Sequence, residues 1–132
     1  MATPLVAVAD LGSLLRWCGL LDGAKPSCAA IVCPDALVAE VLEFLRAHHD
    51  GRLGPMLADL VDVELSVRRF YASAPMASTL AEIASLAPAD LDLVLCSPIA
   101  LAAKLELPLA TTSTEIATLA VRHVPQVILL QQ

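Results

Sequence analysis

Residues 91 to 130, "LDLVLCSPIALAAKLELPLATTSTEIATLAVRHVPQVILL", set short apolar segments between stretches of helical character. Segments that short and that uniformly apolar are buried on both faces, and strands buried on both faces belong to parallel sheets flanked by helices. The spacing predicts a helix running through Lys104, a strand at Pro108 to Thr111, a helix from Ser113 to Val121 and a final strand at Val127 to Leu130.

The first half extends the pattern. Leu5 to Ala9 reads as a buried strand between Pro4 and Asp10, with a helix from about Ser13 to Leu21 behind it and a loop through Lys25-Pro26-Ser27. "PDALVAEVLEFLRAHHDG", from Pro34, is the clearest helix, opening on Asp35 and closing on Gly51. At 100° per residue its apolar stripe is Leu37, Val38, Val41, Leu42, Phe44 and Leu45. Glu40 falls about 40° off the edge of that stripe, as a half-buried acid, whereas Glu43 points away. A helix over 55–61, a strand over 63–67 and a helix from Pro75 to Leu86 complete the expectation. The fold class is therefore α/β: a three-layer α/β/α sandwich around a central parallel sheet of four to five strands. At 132 residues, without repeats or internal linkers, the chain is expected to be a single domain, 1–132.

Composition narrows the partners. The chain is 58% hydrophobic and only 17% charged, with a mean hydropathy of +0.74, so some surface is expected to be covered by a partner, a homodimer first of all. No window approaches the roughly 18 uncharged apolar residues that a membrane-spanning helix needs, and no secretory pattern opens the chain, so a cytoplasmic location is expected. With 14 acids against 8 bases, the net charge of −6 opposes tight, sequence-independent binding to nucleic acid. RNA would have to bind weakly, through a metal, or along a local basic strip such as Arg68 and Arg69. The aromatics Trp17, Phe44, Phe70 and Tyr71 are expected mostly in the core. Cys18, Cys28, Cys33 and Cys96 have no CxxC spacing and read as reduced, mostly buried thiols, and His48, His49 and His123 as solvated caps at helix ends.

Asp10 is the residue this reading leaves open. A carboxylate at the end of a buried strand either caps the helix that follows or belongs to a site. In parallel α/β sheets sites form beyond the carboxyl ends of the strands, where Asp10 and the Thr111-Thr112-Ser113-Thr114 run both fall and where Glu40 could face. A phosphotransfer receiver domain would place an adjacent acidic pair after the first strand, and a haloacid-dehalogenase-like phosphatase an Asp-x-Asp, where this chain has Ala9-Asp10-Leu11-Gly12.

The order of the pieces resembles the PIN domain, the fold of many metal-dependent nucleases, including ribonuclease toxins of bacterial toxin-antitoxin pairs. "VADLGSLL" is similar to the family's opening strand and first acid, Asp10, followed by small residues at Gly12 and Ser13. "VCPDALVAEVLEFLR" is similar to the helix bearing the second acid, Glu40, and "ALAAKLELPLATTSTEIATLA" to the closing segment. The resemblance implies a carboxylate cluster holding Mg²⁺ or Mn²⁺, which would activate water and neutralise charge on a scissile phosphate. Aligned without a gap, the family's third acid falls on Leu95 and its fourth on Ser113. Asp92 and Asp90 lie three and five residues before Leu95 as substitutes, although Pro98 suggests a helix that starts late, with Ser97 as N-cap.

The expectation is thus a PIN-like domain with a degenerate nuclease site, weak or inactive, acting through protein or RNA binding and needing no cofactor. Asp10 and Glu40 would be its remaining metal ligands, Asp92 a substitute catalytic acid, and Ser13, Leu95, Thr111 and Ser113 would line the site. The alternative is an active Mg²⁺- or Mn²⁺-dependent endoribonuclease, the toxin of a toxin-antitoxin pair, whose antitoxin-like partner would insert a basic side chain into the acidic crevice.

Overall fold

The structure, a computed structural model, describes residues 5–19, 21–47, 59, 63 and 69–130. The chain is α/β, with a five-stranded sheet in the order β3-β2-β1-β4-β5 and every neighbouring pair parallel. The strands are β1 (Val6–Val8), β2 (Ile31–Pro34), β3 (Phe70–Ser73), β4 (Leu109–Thr111) and β5 (Val127–Leu129). The helices bounded among the described residues are α1 (Leu11–Trp17), α2 (Asp35–Ala47), α3 (Ala77–Leu86), α4 (Ser97–Leu105) and α5 (Thr114–Ala120), with a short 3₁₀ turn, Leu93–Cys96, leading into α4.

The alternation of side chains along each strand divides the core in two. Val6 and Val8 of β1, Ile31 and Cys33 of β2 and Ala110 of β4 face Leu14 of α1 and Leu37 and Val41 of α2. Ala7 of β1 and Leu109 of β4 face the opposite way, onto Ile83 of α3, Ile99, Ala100 and Ala102 of α4 and Ile116 and Ala120 of α5. The result is compatible with a three-layer α/β/α sandwich. Arg16 of α1 is only 6% exposed, and its guanidinium donates to the Leu130 carbonyl at 3.2 Å, tying α1 to the end of β5.

Several boundaries differ from the sequence reading for local reasons. Helix α1 starts at Leu11 rather than Ser13, because Asp10 is its N-cap, and the chain leaves the helix through Gly19 at φ +80°. Ser97 is the first residue of α4 rather than its cap, since the 3₁₀ turn feeds the helix directly. Strands β2 and β3 were not expected: β2 runs without a turn into α2, and β3 is an edge strand with only Phe70 buried. Leu42 is 60% exposed, because the sheet covers a narrower arc of α2 than the stripe suggested. Tyr71 is exposed as well, on the edge strand. The Nε2 of His123 is buried and has no hydrogen-bond partner among the described residues, so this histidine is not a solvated cap. The helix expected over 55–61 and the strand expected over 63–67 lie outside the described residues except at Asp59 and Val63, both helical; His48, His49 and Arg68 also lie outside them.

At the end of α4, Glu106 adopts the left-handed conformation (φ 55°, ψ 46°), while the Leu107 N–H returns to the Ala102 carbonyl at 2.9 Å. This closing turn favours glycine, which has no Cβ to crowd the following carbonyl. Glu106→Gly is expected to stabilise the domain by up to about 1 kcal/mol, read as a rise of roughly 3 °C in Tm by thermal denaturation. A fall in Tm would show that the Glu106 side chain contributes more than its backbone costs.

Candidate functional site

The sheet order reverses direction between β1 and β4, so the carboxyl ends of these neighbouring strands open the topological crevice of the fold. Asp10 follows β1 and Thr111-Thr112-Ser113 closes β4, which brings together residues 101 and 102 positions apart. Gly12 permits the approach, since a Cβ there would stand 3.3 Å from both Oγ1 and Cγ2 of Thr112.

The Asp10 carboxylate accepts four hydrogen bonds. Its Oδ1 takes the Ser13 N–H and the Ser13 hydroxyl, both at 2.8 Å. Its Oδ2 takes the Thr111 hydroxyl at 2.8 Å and the Thr112 N–H at 3.0 Å. Ser13 and Thr111 are both fully buried, at 0% exposure, so their hydroxyls have no water to turn to. Thr111 Oγ1 also accepts the Ser113 N–H at 3.0 Å, and Ser113 caps α5 by accepting the Ile116 N–H. A carboxylate has about four lone-pair positions, and here each is taken.

Burial raises the pKa of Asp10, but the hydrogen bonds from Thr112, Ser13 and Thr111 outweigh it and hold the carboxyl below its ordinary value.

The remaining predicted residues separate. Glu40 is exposed on α2 rather than half-buried; partial desolvation and then the Asp10 charge raise its pKa, so the two acids sense each other across the crevice. Asp92 is exposed, and its carboxylate accepts the Val94 N–H at 3.0 Å to cap the 3₁₀ turn. Asp90 is also exposed. Leu95 is partly buried against the core between the sheet and α3 to α5. Among the described residues, no group of three or more His, Cys, Asp or Glu side chains is arranged to hold a metal ion. Hard divalent cations need several oxygen ligands with lone pairs to give, and the lone pairs of Asp10 are directed here at Ser13, Thr111 and Thr112.

The thiols sit away from this crevice chemistry. Burial and the Asp35 charge push Cys33 up to about 12, and burial and Asp92 raise Cys96, so both are protonated core residues at neutral pH. What sequence reasoning missed is a cleft at the other end of the sheet, walled by Trp17, Lys25 and Arg69, three residues from separate segments with no shared motif. No protein-family model matches the chain, and a search of curated proteins returns no match.

Asp10→Ala strands buried donors and removes a helix cap, and is expected to cost about 3 kcal/mol in chemical denaturation, with Asp10→Asn costing about 1–2. A removable catalytic carboxylate would show little or no loss. Because the folded pKa of Asp10 lies below its unfolded value, its contribution is complete above the ordinary carboxyl range and is lost as pH falls through the folded value. Wild-type Tm should therefore fall more steeply than that of Asp10→Asn below about pH 4. Glu40→Gln, at an exposed position that only repels Asp10, should stay within about 0.5 kcal/mol of wild type.

Proposed function

We propose that this chain is a PIN-like domain whose nuclease site has degenerated, weak or inactive as a nuclease, and that it works by binding a protein. The observation that carries this reading is the saturated Asp10 carboxylate. The residue that would anchor a catalytic metal is instead spent on joining α1 to β4 and the start of α5. Leu95, partly buried against the core, and Ser113, a helix cap, add no acid.

Support for a protein partner comes from a cleft of about 370 Å³ between α3 and α5, lined by Leu86, Pro88, Leu91 and Leu119 and flanked by Glu115 and Arg122. Leu86 is 57% exposed, an unusual position for a leucine beside an apolar groove. One cation and one acid at the same groove make it self-complementary: across a two-fold axis each copy's Arg122 could meet the other's Glu115. A homodimer is the first partner to test. Light scattering should give a dimer mass, and Leu86→Asp should shift it toward the monomer.

An active Mg²⁺- or Mn²⁺-dependent ribonuclease of the toxin type, with an antitoxin-like partner, is the second reading. It is favoured by Glu40, which senses the Asp10 charge from across the crevice. Incubation with structured RNA and Mn²⁺, beside an Asp10→Asn control, separates the two. No cleavage above the control and no calorimetric heat with millimolar Mn²⁺ are expected. Cleavage that disappears in Asp10→Asn would overturn the degenerate-site reading.

A further inference from the structure

Among the described residues Arg16 is the one charged side chain that is buried. It lies on the inward face of α1 with Ser13 and Leu14, at 6% exposure, in a chain where acids outnumber bases by 14 to 8. A guanidinium has five N–H donors and keeps its charge inside a protein. Here Nη1 meets the neutral carbonyl of Leu130 at 3.2 Å, Nε is buried without a hydrogen-bond partner, and no carboxylate among the described residues pairs with the group. Burying a cation without a counter-ion is costly, and an oxyanion on the remaining donors would relieve that cost.

The loop between α1 and β2 is shaped around those donors. Gly23 lies in it at φ +129°, a backbone conformation that L side chains rarely adopt. A Cβ at this position would stand 3.0 Å from Nε, 3.1 Å from Cζ and 3.5 Å from Nη2 of Arg16. Any residue but glycine would therefore strain the loop and crowd the edge of the guanidinium that carries Nε and Nη2. Gly23 is itself exposed, so this edge is approached from the surface of the loop. Asp22 beside it is exposed too and forms no ion pair with Arg16. With Nη1 turned to Leu130, Nε and Nη2 remain as a planar fork, the geometry that takes two oxygens of one carboxylate or phosphoryl group side by side.

We propose that Arg16 is an oxyanion anchor, whose Nε and Nη2 take one carboxylate or phosphoryl group across Gly23 while Nη1 stays on the Leu130 carbonyl and orients the fork. The Leu130 N–H bonds to the Thr111 carbonyl at 2.8 Å, so a ligand on Arg16 would fasten α1 to the end of β5 and through it to β4. Binding is therefore read in the stability of the whole domain. The anchor does not rest on the reading of the nuclease site.

The full chain is melted at matched ionic strength in sodium chloride, sodium acetate and sodium phosphate, and the same anions are titrated by calorimetry. Acetate or phosphate should raise Tm saturably, by about 4 °C over chloride, and the larger of the two shifts assigns a carboxylate or a phosphoryl ligand. Arg16→Lys, which keeps the charge and loses the fork, should weaken affinity about tenfold. Arg16→Met should abolish the difference between the salts. Asp22→Asn, which removes an acid beside the approach, should leave the anion effect intact or strengthen it. Equal melting of the wild type in all three salts, or an anion effect unchanged in Arg16→Lys, would overturn the proposal. So would a wild type indifferent to the anions whose stability in chloride falls in Asp22→Asn, since Asp22 would then be the counter-ion.

Discussion

The four hydrogen bonds that converge on Asp10 hold the carboxyl end of the sheet together. Strands β1 and β4 are neighbours, but β1 runs into α1 and β4 into α5 on opposite faces, so their ends diverge where the order reverses. A half-buried carboxylate without partners would be costly to place there. With Ser13 on one oxygen and Thr111 and Thr112 on the other, it becomes a joint that caps α1 and fixes the turn from which α5 starts. Thr111 extends the joint to Ser113, and Ser113 to Ile116, a continuous chain of donors and acceptors from the first strand to the last helix.

The same joint occupies the lone pairs that a metal ion would use. A working acidic site keeps lone pairs directed at empty space, so that a cation can replace water there. In this crevice one acid is saturated and the second is exposed on another layer. Repulsion between Asp10 and Glu40 persists, yet nothing among the described residues supplies the further carboxylates that a cation would need. The Asp92 carboxylate serves its own turn, where it accepts the Val94 N–H.

Legibility in the sequence varied with how local each signal was. Strands β1, β4 and β5 could be read because turn residues or helical periods bound short apolar runs, and α2 because its apolar stripe is regular. Strand β2 escaped because Pro34 ends the strand and Asp35 begins the helix, with no turn residue between them. Strand β3 escaped because an edge strand with one buried residue has no pattern to show. The exposure of Glu40 was not legible, because it depends on how far the sheet extends beneath α2.

What the chain determined alone is the α/β class, the alternation of its closing half, and the placing of an acid after the first strand, because these follow from hydrophobic periodicity and capping within a few residues. The tertiary structure decided what that acid does. Asp10 could have been a ligand or a joint, and the choice rests on Thr111 and Thr112, which lie more than 100 residues away and reach it only because β4 is inserted beside β1. The cleft of Trp17, Lys25 and Arg69 has the same origin. Three segments without a common motif meet at the amino ends of parallel strands, and only the packing of the sheet makes them neighbours.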